Sequence, residues 1–288
     1  MSESTPNAFD EPVRVLSDLH LAHPASLIGR VESLRPLVEG ARTVIFNGDT
    51  CEQSYAGWRD AGDSRLAELT ELCGRSGARP VFLPGNHDPE VAERGWCELA
   101  GGNVLVTHGH AVYPSVAPWS HEYLRKKKAI WDIVRERESG GEDLAYRWET
   151  TRIITHALKP NRTRALGEKG INYLLSAVWP PGRCFNILRV WLTMVGAADR
   201  FVTRFRPETG VFLFGHFHRP GVWQRRGRLI CNTGAFMRGS RPLVAELQDG
   251  TMRICAVERV GEEFRVGAQR VKVRVDGGVP AGMAGATW

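Results

Sequence analysis

The sequence lacks the features that mark secreted, membrane-spanning or disulfide-rich proteins. Its six cysteines are scattered without C-x-x-C spacing, which indicates reduced thiols rather than a disulfide framework or a thiolate metal site. No stretch reaches the roughly 18 uninterrupted apolar residues of a membrane span. The polar N-terminus has neither a basic leader nor an apolar run. We therefore expect a cytoplasmic protein without a secretory signal.

Positive charge is concentrated in the middle of an otherwise balanced chain. The 288 residues are 42% hydrophobic and 24% charged, enough for one large domain with an elaboration or for two small domains. Residues 111–210 hold 17 Lys+Arg against 10 Asp+Glu, a net charge of +7, whereas the whole chain carries +6. The rest of the chain is therefore nearly neutral. The basic segment is predicted to have a partner or role of its own.

Strand and helix patterns alternate in the first 110 residues. The β-rich runs are at 13–16, 43–46, 80–83 and 103–107, and helices are predicted at 64–73 and 90–100. This alternation predicts a largely parallel sheet that binds ligands beyond the carboxyl ends of its strands. A helical segment follows, and further strands are predicted at 210–214, 229–231, 243–247 and 252–257. The Gly- and Ala-rich tail is expected to be flexible.

Polar side chains follow these predicted strands. They are Asp18 and His20, Asp49, Asn86 with His87 and Asp88, His108 with His110, and His216 with His218. Carboxylate, imidazole and amide carbonyl groups are ligands suited to Mn²⁺, Fe²⁺ or Zn²⁺. Two such ions about 3.5–4 Å apart can share a bridging carboxylate and a bridging hydroxide that attacks phosphorus. The pattern therefore predicts two-metal hydrolysis of a phosphoester.

Each of these residues alone has an ordinary structural explanation. A single histidine near a strand end is more often packed or solvated than a ligand. Asp49 after Asn-Gly suits a turn, and Asp18 suits a helix cap. The occurrence of all of them in one order, each after a predicted strand, favours the metal centre.

Five motifs resemble the ordered blocks of the calcineurin-like metallophosphoesterases. They are D-x-H at residues 18–20, G-D at 48–49, G-N-H-D at 85–88, H-G-H at 108–110 and G-H-x-H at 215–218. The resemblance implies an α/β fold, a four-layer αββα sandwich of two mixed sheets with a helical insertion. The implied parts are 1–110 and 207–276 for the sandwich, 111–206 for a basic, Trp-rich insertion and 277–288 for the tail.

The resemblance also implies a role for each motif residue. One divalent ion would be held by Asp18, His20, Asp49 and His218, and the second by Asp49, Asn86, His108 and His216. Mn²⁺ is favoured, with Fe²⁺ or Zn²⁺ as alternatives. His87 would face the substrate phosphate as a general acid or transition-state donor, oriented by a hydrogen bond that it donates to Asp88. His110 and His23 are expected to line the substrate pocket.

The insertion lies between the fourth and fifth motifs, so both its ends emerge beside the predicted metals. Basic clusters occur at 125–128 and at Lys159, Arg162 and Arg164. Two apolar stretches within 171–198, joined at Pro180-Pro181-Gly182, predict a helical hairpin with an apolar face. That face would pack on the catalytic domain by default, lie in a membrane interface, or form a groove for acyl chains. A nucleic-acid partner fits the sequence less well.

In overall plan the chain is similar to UDP-2,3-diacylglucosamine hydrolases. These also carry a basic helical insertion at this place and read G-D-x-x-E, here residues 48–52. His87 and His110 depart from that subfamily, which has Arg and Asp there. We expect hydrolysis of a phosphodiester, phosphomonoester or pyrophosphate in a small-molecule, nucleotide- or lipid-linked substrate. The alternatives are a pyrophosphatase of this lipid type, peripheral on the inner face of the membrane, and a non-catalytic adaptor; the oligomeric state is left open.

Overall fold

The computed structural model describes residues 9–54, 56–137, 140–159 and 181–276. The strands are β1 (Val13–Leu16), β2 (Thr43–Asn47), β3 (Arg79–Leu83), β4 (Trp96–Leu99), β5 (Val104–Thr107), β6 (Val211–Phe214), β7 (Gly221–Arg225), β8 (Arg228–Asn232), β9 (Leu243–Gln248), β10 (Thr251–Val260) and β11 (Glu263–Arg274). The helices are α1 (Arg35–Val38), α2 (Ala56–Arg75), α3 (His121–Arg137), α4 (Leu144–Ala157) and α5 (Pro181–Phe205).

The strands form two mixed sheets. The first has the order β11-β10-β9-β1-β2-β3, and the second has the order β4-β5-β6-β8-β7. β1, β2 and β3 run parallel to one another, as do β5, β6 and β8. Antiparallel neighbours flank both parallel groups, with β9 beside β1 and β4 beside β5. Both sheets are therefore mixed, because the parallel arrangement expected from the alternation holds only for β1-β2-β3, at one edge of the first sheet, and for β5-β6-β8, at the centre of the second.

Successive side chains of each strand in the first sheet point to opposite faces, so one set enters a core between the two sheets and the other a core beneath the helices. Val15 of β1 and Ile45 of β2 face the second sheet and share a buried cluster with Leu213 of β6. Their chain neighbours point the other way, as successive side chains of a strand must. Phe46, for example, packs on the opposite face against Leu69 of α2. The inner cluster thus lies between two sheets, and α2 covers the outside of the first.

Helix α5 covers the outside of the second sheet. Phe212 and Phe214 of β6 form a buried cluster with Met194 and Ala198 of α5, to which Trp148 of α4 also belongs. Burial of each large apolar side chain contributes about 1.5–3 kcal/mol. The layers therefore run helix, sheet, sheet, helix, which confirms the predicted αββα sandwich.

The region before β5 differs from the prediction. A helix was predicted for residues 90–100, but the chain forms strand β4, antiparallel to β5, followed by a 3₁₀ turn at Ala100–Gly102. Cys97 and Leu99 are buried while Trp96 and Glu98 are partly exposed, so the apolar period is two rather than that of a helix. Strands β7 and β11 were not predicted either. In β11 most side chains are exposed and several are charged, so the strand lacks the apolar alternation that the sequence analysis relied on.

The predicted helical character of the insertion is confirmed for α3, α4 and α5. Arg147 of α4 donates hydrogen bonds to the carbonyls of Ala111 and Tyr113, which fixes α4 against the chain that leaves β5. The second half of the predicted hairpin is the N-terminal part of α5. Its first half at 171–180 lies outside the described residues, as do Arg162, Arg164 and the tail. None of the described helices has the length and apolarity needed to cross a bilayer.

Candidate metal centre

Two groups of ligand atoms meet beyond the carboxyl ends of the parallel strands. The first group is Asp18, His20, Asp49 and His218, and the second is Asp49, His108 and His216; within each group the ligand atoms lie within 4.8 Å of one another. A third group, His20, Glu52 and His87, meets the same distance but does not include Asp49. In the first, His218 Nε2 lies 3.1 Å from Asp18 Oδ1. In the second, His108 Nε2 lies 3.3 Å from Asp49 Oδ2. Asp49 belongs to both groups, the position predicted for a bridging ligand.

The backbone at these ligands is unusual. Five of them have positive φ angles: Asp18 (53°), His20 (48°), Asp49 (48°), His216 (67°) and His218 (51°). Residues with a Cβ seldom adopt this region, at about 1–2 kcal/mol each. Such outliers occur where the surrounding structure imposes them, commonly at functional sites. The turns after β1, β2 and β6 are thus shaped to aim side chains at one point.

Hydrogen bonds join the two sheets at this point. The Asn47 side chain at the end of β2 donates to the Thr107 carbonyl at the end of β5, over 3.0 Å. The Asn47 carbonyl in turn accepts a hydrogen bond from His108 Nδ1, also at 3.0 Å. The amide of His216 donates to Asp18 Oδ1 at 3.0 Å. Ligands from both sheets are therefore held by direct contacts across the sandwich.

Two motif glycines allow the carboxylates to come close to the backbone. A Cβ at Gly85 would overlap the carboxylate and the amide nitrogen of Asp49, and one at Gly215 would overlap the carboxylate of Asp18. The amide of His87, two residues after Gly85, donates to Asp49 Oδ1 at 2.8 Å. Only glycine leaves room for this approach.

Unpartnered polar atoms show that these residues suit a divalent cation. Asn86 Oδ1 is buried without a hydrogen-bond partner in the described part of the chain, and His108 Nε2 makes no well-aligned hydrogen bond there although Asp49 Oδ2 lies 3.3 Å away. A buried polar atom left in that state costs about 1–3 kcal/mol. His216 Nε2 lies 3.1 Å from the Val116 carbonyl and donates to it, which leaves Nδ1 as its lone-pair nitrogen. Oxygen and imidazole nitrogen donors of this kind fit Mn²⁺, Fe²⁺ or Zn²⁺.

The electrostatics also favour a cation. Burial acts to raise the pKa of Asp49, but the neighbouring His108 and His87 outweigh it and hold that pKa well below its usual value. Burial acts to lower the pKa of His108, yet the Asp49 and Asp18 carboxylates raise it to about 9. Burial lowers the pKa of His216 to about 3. Ionised carboxylates and histidines thus attract one another in this site, and a divalent ion would replace the histidine protons as the positive charge beside the carboxylates.

Glu52 is a site residue to which the sequence motifs assigned no role. Its buried carboxylate accepts hydrogen bonds from His20 Nδ1 and from His87 Nδ1, both at 2.8 Å. Burial acts to raise the pKa of Glu52, but the two histidines hold it far below its usual value. His87 Nε2 is 4.0 Å from Asp49 Oδ2, and its side chain is 28% exposed, so it faces the mouth of the site. The G-D-x-x-E spacing was the signal that could have identified Glu52.

The predicted hydrogen bond between Asp88 and His87 is wrong. The buried Asp88 carboxylate instead accepts hydrogen bonds from the backbone amides of Gly85 at 2.8 Å and Asp49 at 2.9 Å. It thereby ties the turn after β3 to the turn after β2. Burial, together with the nearby Asp49 charge, raises the pKa of Asp88 to about 6. Glu52 is the carboxylate that holds the His87 ring.

The two residues predicted to bind substrate lie at different depths. His110 is buried behind the second group, with its ring 5.2 Å from the ring of His108 and 5.0 Å from that of Trp148. His23 lies beside the first group, with its ring 6.0 Å from that of His20 and 5.0 Å from that of Trp58. Burial lowers the pKa of His23 to about 4. The structure therefore places His23 nearer the mouth and His110 in the interior.

Replacing Glu52 by glutamine is expected to weaken metal binding by the first group about 10–100-fold, the usual effect of losing a partner that orients a ligand. The amide has one oxygen for the two imidazole N–H groups that the carboxylate now accepts. Calorimetric titration with Mn²⁺ measures the change. Glu68→Gln, at an exposed acid of α2, is the control and should bind normally. Unchanged Mn²⁺ affinity in Glu52→Gln would contradict this role.

No protein-family description matches the chain, and no curated protein matches it. Among solved structures, the chain is similar to a predicted phosphoesterase from Streptococcus pneumoniae TIGR4, with 14% identity, a TM-score of 0.39, and coverage of 91% of this chain and 97% of that one. It is similar to Zn²⁺-bound Vps29 from Entamoeba histolytica (14% identity, TM-score 0.42, coverage 91% and 98%). It is also similar to YfcE, a phosphoesterase from E. coli (15% identity, TM-score 0.41, coverage 92% and 99%). Because these identities are low, the chemistry of the site is argued only from the residues of this chain.

Proposed function

We propose that this protein is a phosphoesterase that uses two divalent ions to hydrolyse a phosphodiester, phosphomonoester or pyrophosphate bond. The observation that carries the proposal is the pair of ligand groups that share Asp49. One ion would be held by Asp18, His20, Asp49 and His218, and the other by Asp49, Asn86, His108 and His216. When bound, two such ions supply an activated water and neutralise the phosphate oxygens.

The protein's own contribution begins with fixed ligand orientations. His20, His108 and His216 each have one ring nitrogen engaged, by Glu52, by the Asn47 carbonyl and by the Val116 carbonyl respectively. The other nitrogen of each ring is thereby left as the possible ligand atom. Partners of this kind set the tautomer and the ring direction before an ion or substrate arrives.

His87 is the proposed proton donor. Its Nδ1–H donates to Glu52 at 2.8 Å, so a protonated ring would carry its second proton on Nε2. Nε2 lies near Asp49 at the exposed mouth, where the leaving oxygen of a bound ester would emerge. Transfer of that proton would neutralise the alkoxide as the bond to phosphorus breaks. Glu52 would stabilise the charged ring before the transfer.

The proposed activity is tested with p-nitrophenyl phosphate, its bis-ester and UDP-2,3-diacylglucosamine. We expect turnover of at least one with Mn²⁺, loss of turnover on chelation and recovery when Mn²⁺ is returned, because the candidate ligand groups would hold the ions in a defined place. Elemental analysis should find two ions per chain. Full occupancy without hydrolysis of any of the three would instead support the adaptor alternative.

A further inference from the structure

The N-terminal half of α5 exposes three large apolar side chains. Phe185, Leu188 and Leu192 are 67%, 55% and 72% exposed, and together they form the α5 stripe. Their spacing of three and four residues places them on one face of the helix. Val190 and Met194, on another face, are buried against the second sheet. The sequence expectation that the apolar face packs on the catalytic domain therefore applies to only part of α5.

The α5 stripe lies beside the metal centre. Trp191, exposed next to Leu192, donates its indole N–H to the Phe217 carbonyl at 3.1 Å. Phe217 stands between the predicted ligands His216 and His218 in the chain. Whatever the stripe contacts is therefore brought close to the mouth of the site.

The charge around the stripe is positive. Helix α5 contains Arg183, Arg189, Arg200 and Arg204, and its single acid, Asp199, is buried 3.4 Å from Arg228. Arg189 is exposed between Leu188 and Leu192 in the sequence. Arg219 donates to the Trp191 carbonyl at the edge of the stripe. Exposed apolar side chains with tryptophan and arginine at their edges are typical of helices that lie in a membrane interface.

We propose that the α5 stripe docks this protein on an anionic phospholipid surface. Phe185, Leu188 and Leu192 would enter the boundary between headgroups and acyl chains, and the neighbouring arginines would contact lipid phosphates. Three side chains on one helix face are small beside the roughly 800 Å² per partner of a stable protein interface. This favours a membrane over a second copy of the chain. If the proposed function holds, the docked centre faces phosphoesters carried by lipids.

The test is co-sedimentation of the full chain with vesicles. One set contains phosphatidylcholine alone, and the other contains equal parts of phosphatidylcholine and phosphatidylglycerol. We expect binding to the anionic set that high salt weakens, because exposed charges are screened. The triple variant Phe185→Ser/Leu188→Ser/Leu192→Ser should bind at least about tenfold more weakly, equivalent to about 1.4 kcal/mol.

A matched control removes exposed apolar side chains elsewhere. Val260→Ser/Val266→Ser changes residues of β10 and β11 that are 53% and 40% exposed and should leave vesicle binding unchanged. The triple variant should hydrolyse a soluble ester as the native chain does. Its circular dichroism spectrum shows whether it folds.

Three results would overturn the docking proposal. They are no binding to anionic vesicles at low salt, equal binding by the triple variant, and a native dimer that binds no vesicles and that the triple variant dissociates. A monomer that binds neither vesicle set would mean that another part of the chain covers the stripe. Vesicle binding by a protein that hydrolyses no ester would leave the docking intact and count against the proposed function alone.

Discussion

Replacing Asp49 by asparagine is expected to reduce Mn²⁺-dependent hydrolysis of bis(p-nitrophenyl) phosphate by about a thousandfold or more. Asp49 is the carboxylate common to both ligand groups in the described structure, and its Oδ2 lies 3.3 Å from His108 Nε2. Asparagine keeps the size of the side chain but removes the charge that two cations would share. Loss of several kcal/mol of charge stabilisation corresponds to this change in rate.

The measurement combines steady-state kinetics with the number of ions bound per chain, which should fall below two. Asp60→Asn, at an exposed acid of α2, is the matched control and should retain native activity and metal content. Thermal unfolding of both variants shows whether the fold is intact. Full metal-dependent turnover by Asp49→Asn would refute the two-metal proposal.

Replacing His87 by asparagine is expected to lower kcat by about 10²–10⁴-fold, the usual contribution of a positioned general acid. The loss should be greater for diphenyl phosphate than for bis(p-nitrophenyl) phosphate, because phenoxide needs protonation more than nitrophenoxide does. His87 lies outside the two groups that share Asp49 and groups instead with His20 and Glu52, so we expect metal content to stay at two ions per chain.

The ratio of the two substrates separates this role from a structural one. His156→Asn changes an exposed histidine of α4 and should leave both rates unchanged. An equal loss on both esters, accompanied by loss of metal, would mean that His87 supports the ligands rather than the leaving group. This outcome has a structural route, because Glu52 contacts both His87 and the candidate ligand His20.

The convergence of the candidate ligands could be predicted from the sequence because these residues follow strand ends. Asp18, Asp49 and His108 each come shortly after a short β-rich run, and parallel strands bring their carboxyl ends together. The structure places these side chains where that argument expected them. Local pattern was sufficient because the strands themselves determine where their ends lie.

The partners of the histidines could not be predicted in this way. Glu52 contacts His20 after β1 and His87 after β3, so its role depends on how three turns meet in space. Asp88 adjoins His87 in the chain, yet its carboxylate turns to the backbone amides of Gly85 and Asp49. Adjacency along the chain did not determine which carboxylate faced the ring.

The burial of α5 also depends on tertiary contacts. Residues 184–198 are apolar on several faces of the helix, so the sequence alone does not show which face is covered. The second sheet covers the side that carries Val190 and Met194 and leaves Leu188 and Leu192 outside. Strand β4 could not be predicted for the same reason, because its residues form a strand by pairing with β5.

The hydrogen bonds of Asn47 have a consequence for the stability of the whole molecule. Through them the ends of β2 and β5 are joined at the same place where the ligands converge. Separating the sheets would therefore move the candidate ligands apart. Displacing His108 would in turn break its hydrogen bond to the Asn47 carbonyl, which is one of the contacts between the sheets. An ion that binds only the folded form adds its binding free energy to the free energy of unfolding. The contact between the two sheets and the candidate cation site would then form one cooperative unit, in which metal binding and global unfolding depend on each other.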